Sequence, residues 1–193
     1  LLVRNKDAKS KDYGFLPDHP RPGHADLPEA ERTSGAADLR GGGTQSGRLT
    51  LGLVAAGSVA RELIGDALVE AHCSQIGPIK GKIDSVRDGE ACDVLNCNDP
   101  EAAKEMFALV KTLRKQGDSV GSSVECWISN LPIGLGEPWF EGLEPALARG
   151  LMAIPAARAV EFGRGKDVVG MHGSEHNDAW GIEQTPIGNN PDG

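Results

Sequence analysis

Aromatic side chains are scarce in this sequence: one Tyr, four Phe and three Trp among 193 residues, 4% of the chain. Positive charge is in deficit too, with 20 Lys and Arg against 28 Asp and Glu and a formal net charge of -8. A nucleic-acid binder needs a basic surface and often rings for bases to stack on, so both shortages argue against that partner. Long apolar runs are missing as well. The longest uncharged stretch, Leu49 to Ala60, falls short of the roughly 20 residues a bilayer takes, and no membrane association is expected. The four cysteines, Cys73, Cys92, Cys97 and Cys126, have no C-x-x-C spacing. That pattern fits reduced thiols in a cytoplasmic protein rather than a disulfide framework.

What the chain does have is length for one domain with a real core, and an abundance of glycine, 26 residues. It opens on LLVRN without an initiator Met and closes on the turn-rich PIGNNPDG, which gives the expectation of a piece cut from a longer protein. Leu1 to Val3 has the pattern of a strand remnant, and Asn5 to Gly23 that of a long polar loop. Asp26 is expected to cap a short helix starting near Pro28 and ending at Gly35. Ser46 to about Ile64, apolar or small on nearly every face, predicts a central helix buried all round. Ala67 to Ile76 alternates as a strand, with Leu68, Glu70, His72 and Ser74 on one face and Val69, Ala71 and Cys73 on the other. Asp99 should cap a helix through Gln116 that Gly117 terminates. Further strands are expected at Ser119 to Ile128 and Ala157 to Phe162, and a helix from Gly142 to Ala153. Asp84 to Asn98 has no clear pattern. The class is mixed α and β.

Three stretches carry candidate chemistry. In DLRGGGTQSGRLT (Asp38 to Thr50) a glycine triplet leads into a helix start, where unpaired backbone N–H groups and the positive end of a dipole suit an anion. Ser46 adds a hydroxyl there and Arg48 a permanent charge. The loop is neither a Walker A motif nor G-x-G-x-x-G, and a tight turn that only starts a buried helix is the alternative. In HPRPGHAD, Pro20 and Pro22 stiffen a loop that presents His24 beside Arg21 and Asp26. Imidazole titrates near neutrality, so His24 is an acid or base candidate, with a merely solvated loop histidine as the alternative. In MHGSEHND, His172 and His176 stand four apart. A zinc pair at that spacing needs a helix, which Gly173 and Ser174 disfavour, so no metal is expected.

Taken together these segments resemble chorismate synthase. The resemblance rests on RNKDAKSKDY (Arg4 to Tyr13), RPGHAD (Arg21 to Asp26), DLRGGG with SGRLT (Asp38 to Thr50), VAAG (Val54 to Gly57), GDSVG (Gly117 to Gly121), GLGEPWFEGLE (Gly134 to Glu144), GLMAIPAARAVEFG (Gly150 to Gly163) and GSEHND (Gly173 to Asp178). It implies an α+β fold, a β-α-β sandwich with buried central helices packed against antiparallel sheets, assembled as a homotetramer. It also implies a reaction: 5-enolpyruvylshikimate 3-phosphate loses its ring phosphate and a ring hydrogen to give chorismate, with reduced FMN required and NADPH serving flavin reduction in some members.

By the same resemblance His24 is the catalytic histidine beside the flavin, and Arg48 holds an anionic group of the substrate. Thr44, Gln45 and Ser46 line the flavin site, joined by Asn190 and, less directly, Asn189. The family usually has R-S-S or H-F-S after the glycines where this chain has Thr44, Gln45 and Ser46, so a flavin-contacting side chain is expected to be lost while backbone N–H groups remain. The family's Gly-Glu-Ser-His-Gly motif and its C-terminal Asp- and Arg-bearing motifs are absent from these 193 residues. The expectation is therefore a single incomplete domain with negligible activity alone. A non-catalytic flavin- or phosphate-binding relative is the other reading.

Overall fold

The computed structural model describes residues 2–82, 94–177 and 179–181. The helices and strands, in chain order, are α1 (Asp26–Arg32), α2 (Thr50–Arg61), β1 (Leu68–Ile76), β2 (Ile79–Lys80), α3 (Pro100–Gln116), β3 (Ser122–Ser129), α4 (Leu143–Met152) and α5 (Gly173–His176). Two compact units hold them: Ile64–Leu135, and Leu1–Leu63 together with Gly136–Gly193.

The first unit is a small antiparallel sheet with a helix. The strand order is β2-β1-β3, and β1 pairs with β3 from Leu68 opposite Ser129 to Ile76 opposite Ser122. The register shifts between Cys73 and Gln75. That irregularity lets Cys73 and Ile76, three apart, serve one core, which unbroken alternation forbids. α3 begins where the sequence places it: Asp99 Oδ1 accepts from the N–H groups of Glu101 at 3.1 Å and Ala102 at 3.0 Å. It ends on Gly117 at φ 71, the left-handed terminator that glycine adopts without strain. Its buried residues Ala102, Ala103 and Met106 close on Ile76 and Cys97. His72 is buried as well.

The second unit departs further from expectation. A helix apolar on every face needs partners on every face, yet no residue of α2 is buried, and Leu51, Leu53, Val54 and Val59 are all more than half exposed. The expected buried central helix is thus an exposed one in this chain. Leu2 and Val3 belong to no element and are exposed. Residues 157–162 form no strand among the described residues. Among the described residues neither run has the neighbour whose ladder hydrogen bonds make a short apolar stretch into a strand. α5 is one helical turn where none was expected, closed by the N–H of His172 donating to Glu175 Oε2 at 2.8 Å. Asn189 and Asn190 lie outside the described residues, as do positions 84–93 of the patternless stretch.

Among the described residues no helix is long and apolar enough to cross a membrane.

Candidate functional site

The glycine triplet makes the bend that the site is built on. Over Arg40–Gln45 the chain turns tightly, with Gly41, Gly42 and Gly43 at φ 67, 89 and 51. Three successive left-handed residues are accessible only to glycine at low cost. The bend is also close-packed. A methyl group at Gly43 would lie 2.5 Å from the Asp38 carbonyl oxygen, and one at Gly42 would lie 3.3 Å from His24 Cε1 and 3.4 Å from His24 Nε2. Side chains from distant positions converge here: His24 and Ser46 border Gly42, while Arg48 and Tyr13 border Gly41.

RPGHAD supplies the wall. Asp26, expected as a helix cap, makes no such bond; Ala25 stands at the cap position. Its carboxylate turns back on its own loop and accepts a two-pronged grip from Arg21, Nε to Oδ2 and Nη2 to Oδ1, both 2.8 Å, plus the Arg21 backbone N–H at 3.0 Å. His24 Nδ1 stands 2.9 Å from Asp26 Oδ1. The Arg21 guanidinium holds the Asp26 carboxyl far below the usual carboxylate range, against the opposing effect of burial. The same guanidinium lies 5.7 Å from the centre of the Tyr13 ring, a cation–π distance.

Two more carboxylates brace the bend. Glu29 on α1 is buried and accepts from Arg32 Nη2 at 2.6 Å and Nε at 3.0 Å, from the Thr44 hydroxyl at 3.2 Å and from Gln45 Nε2 at 3.3 Å. Arg32 first, then Gln45 and Thr44, draw its pKa down while burial opposes them. Asp38 accepts from Arg40 Nη2 at 2.6 Å, Nε at 2.8 Å and the Arg40 backbone N–H at 3.1 Å. Its pKa falls to about 2 as a result. An open hollow of about 520 Å³ runs along this side, lined by Glu29, Arg32, Thr33, Asp38, Arg40 and Thr44 among others.

The structure brings His24 and Ser46 against Gly42 and Arg48 against Gly41. Thr44 and Gln45 border the same bend, but their side chains are engaged by Glu29, so what they offer a ligand is backbone. The Ser46 hydroxyl accepts from the Arg48 N–H at 3.3 Å, capping the turn Gly47–Leu49. Of the four arginines around the bend, Arg21, Arg32 and Arg40 are each neutralised by a carboxylate. Arg48 has no carboxylate partner among the described residues; its Nη1 donates to the Gly41 carbonyl at 3.2 Å. With five donors on a guanidinium, most of its capacity faces outward. This unspent charge, beside an imidazole, suits an anionic ligand.

Sequence reasoning set Arg21 and Asp26 beside His24 but not their mutual grip, and it did not single out Glu29 or Tyr13 as partners. The one usable signal was that RPGHAD spaces an arginine and an aspartate around a histidine inside a loop stiffened by proline.

Known proteins share this chain's pattern. The family model for chorismate synthase matches residues 1–193. The chorismate synthase of Aeropyrum pernix is 44% identical over 187 residues, 93% of this chain and 49% of the relative. Those of Dehalococcoides mccartyi strain 195 and Methanosarcina mazei are each 40% identical over 192 residues, 97% of this chain and 53% and 52% of the relatives. A crystal structure of chorismate synthase superposes with a TM-score of 0.73 at 24% identity, over 86% of this chain and 56% of that one, which shows a shared fold. The chain spans about half the length of the curated relatives it matches.

Proposed function

Because the chain belongs to the chorismate synthase family, we propose that it contributes the glycine-bend side of a chorismate synthase active site. In the full protein, 5-enolpyruvylshikimate 3-phosphate undergoes 1,4-elimination. The ring C–O bond to phosphate breaks, a ring C–H bond gives up its hydrogen, the diene of chorismate forms, and inorganic phosphate departs with no net oxidation. The observation that carries this reading is Arg48, the arginine at the bend without a carboxylate partner among the described residues, placed with His24 around Gly41 and Gly42.

The donor set fits an anionic substrate and a phosphate-bearing cofactor: one guanidinium without a carboxylate partner among the described residues, the Ser46 hydroxyl and a bend of backbone N–H groups. Reduced FMN, when bound, supplies electron density to the substrate ring. Arg48 binds an anionic group of the substrate, and His24 holds or moves a proton at Nε2. Ser46 and the backbone of Thr44 and Gln45 would hold the flavin, with Asn189 and Asn190 assigned to it by resemblance alone. The β-α-β sandwich belongs to this reading, with the exposed apolar α2 as a helix that its layers enclose. So do a single incomplete domain over residues 1–193, a homotetramer, a cytoplasmic location and NADPH as a source of electrons for the flavin.

The test is turnover by the full protein with reduced FMN. His24→Ala is expected to lower kcat about 100-fold, and Arg48→Ala to raise KM at least about tenfold. The 193-residue chain alone should show negligible activity. Flavin binding with turnover absent in the full wild-type protein would favour a non-catalytic relative, for which the Thr44 and Gln45 side chains, held by Glu29, are the supporting feature.

A further inference from the structure

We propose that Tyr13 is a substrate-binding residue: its hydroxyl and the Arg48 guanidinium together hold two oxygens of one anionic group of the substrate over Gly41. The identity of that substrate rests on the proposed function. Gly41 carries no side chain, and the space one would fill opens between two donors. A methyl group there would lie 3.8 Å from Arg48 Nη1 and 4.0 Å from the Tyr13 hydroxyl oxygen; chain neighbours aside, no other atom of the described residues comes within 4 Å. A ligand resting on the Gly41 backbone thus meets a guanidinium on one side and a phenol on the other.

The phenol is held from behind. Tyr13 closes the turn Ser10–Tyr13 and is half-buried. The centre of its ring lies 5.7 Å from the Arg21 guanidinium carbon and 6.4 Å from the centre of the Phe15 ring. That guanidinium is fixed in turn by two bonds of 2.8 Å to Asp26, so the cation against the ring is engaged while the hydroxyl is not. Among the described residues the Tyr13 hydroxyl has no hydrogen-bond partner. A tyrosine with a packed ring ordinarily pairs its hydroxyl, and an O–H has a proton to give to an anion. Arg48 brings the charge. Its bond from Nη1 to the Gly41 carbonyl, 3.2 Å, keeps the guanidinium beside the same glycine, with further N–H groups to donate. One positive charge and one neutral donor match a single anionic group that presents two oxygens. His24 borders the next glycine, Gly42, so an anion held here sits one residue along the bend from the imidazole.

Calorimetry on the full protein without reduced FMN measures substrate binding apart from turnover. Tyr13→Phe removes one oxygen and keeps the ring on Arg21. Its Kd for 5-enolpyruvylshikimate 3-phosphate should rise about tenfold, and in turnover KM should rise likewise with kcat within about threefold. In an Arg48→Ala background the same change should cost less than about threefold, because the shared anion is no longer held. A Kd within about twofold of wild type, or equal losses in both backgrounds, overturns the proposal. So does a Tyr13→Phe protein that fails to fold, since the hydroxyl would then serve the structure. Substrate binding without turnover in the wild type sinks the proposed reaction alone and leaves Tyr13 to be judged on Kd. Absence of binding by the wild type sinks both.

Discussion

In Ile64–Leu135 the buried residues form an apolar cluster, Ile76, Cys97, Ala102, Ala103 and Met106, with His72 and Asn98 buried besides, whereas the buried residues described in the other unit are Asp26, Glu29 and Gly42. Apolar burial is non-directional and tolerates repacking. A carboxylate gripped by a guanidinium fork is directional, and it fixes the atoms around it at hydrogen-bond distances. The sheet unit therefore has the means to be robust, and the bend has the means to be accurate. Acid–base chemistry beside an anionic ligand needs the second property.

Acid should separate the two most sharply. Asp26, Glu29 and Asp38 all have depressed pKa values, so their contribution is present above the unfolded-state carboxylate range and disappears as pH falls through it toward the folded values. Amide exchange over residues 38–48 should rise between about pH 4 and about pH 2, while β1 and β3 stay protected longer. Asp99 is depressed too, by the Lys82 and Ala102 N–H groups, so the first turn of α3 should loosen with the bend. Equal loss of protection in β1 would break the contrast.

Met106→Ala is the counterpart in the sheet unit, where the side chain is fully buried. It should cost about 3 kcal/mol, measured by denaturant dependence of exchange in β1 and α3. A cost under about 1 kcal/mol would mean that apolar packing does not hold this unit. Gly43→Ala should cost about 2 kcal/mol from strained backbone, and more if the Asp38 carbonyl cannot move aside. Gly117→Ala shares the left-handed φ but has nothing within 4 Å of the added carbon, so about 1 kcal/mol is expected. If the two glycine variants cost the same, the packing around the bend contributes nothing beyond backbone conformation.

The same contrast explains what was legible in the sequence. α3 is described by local rules, since Asp99 caps within its own first turn and Gly117 stops the helix it follows. β1 and β3 show as alternation, although the shift between Cys73 and Gln75 does not. The approach of His24 to the triplet was implied by family resemblance; no periodicity announces a contact across 18 positions. Asp26 was misassigned because an aspartate at a helix start has a common local use, and the Arg21 grip that overrides it depends on how the loop folds back. For α2 the composition predicts burial and the helix is exposed, because whether a face is covered depends on what packs there, which composition does not specify.

Glu29 has one further consequence. It receives Arg32 from its own helix and Thr44 and Gln45 from the bend, so the side chains at 29, 44 and 45 form one hydrogen-bonded set. Grafting a relative's residues into 44 and 45 while keeping the glutamate would strip a sequestered anion of half its ligands. Redesign of this bend should vary the three positions as a set.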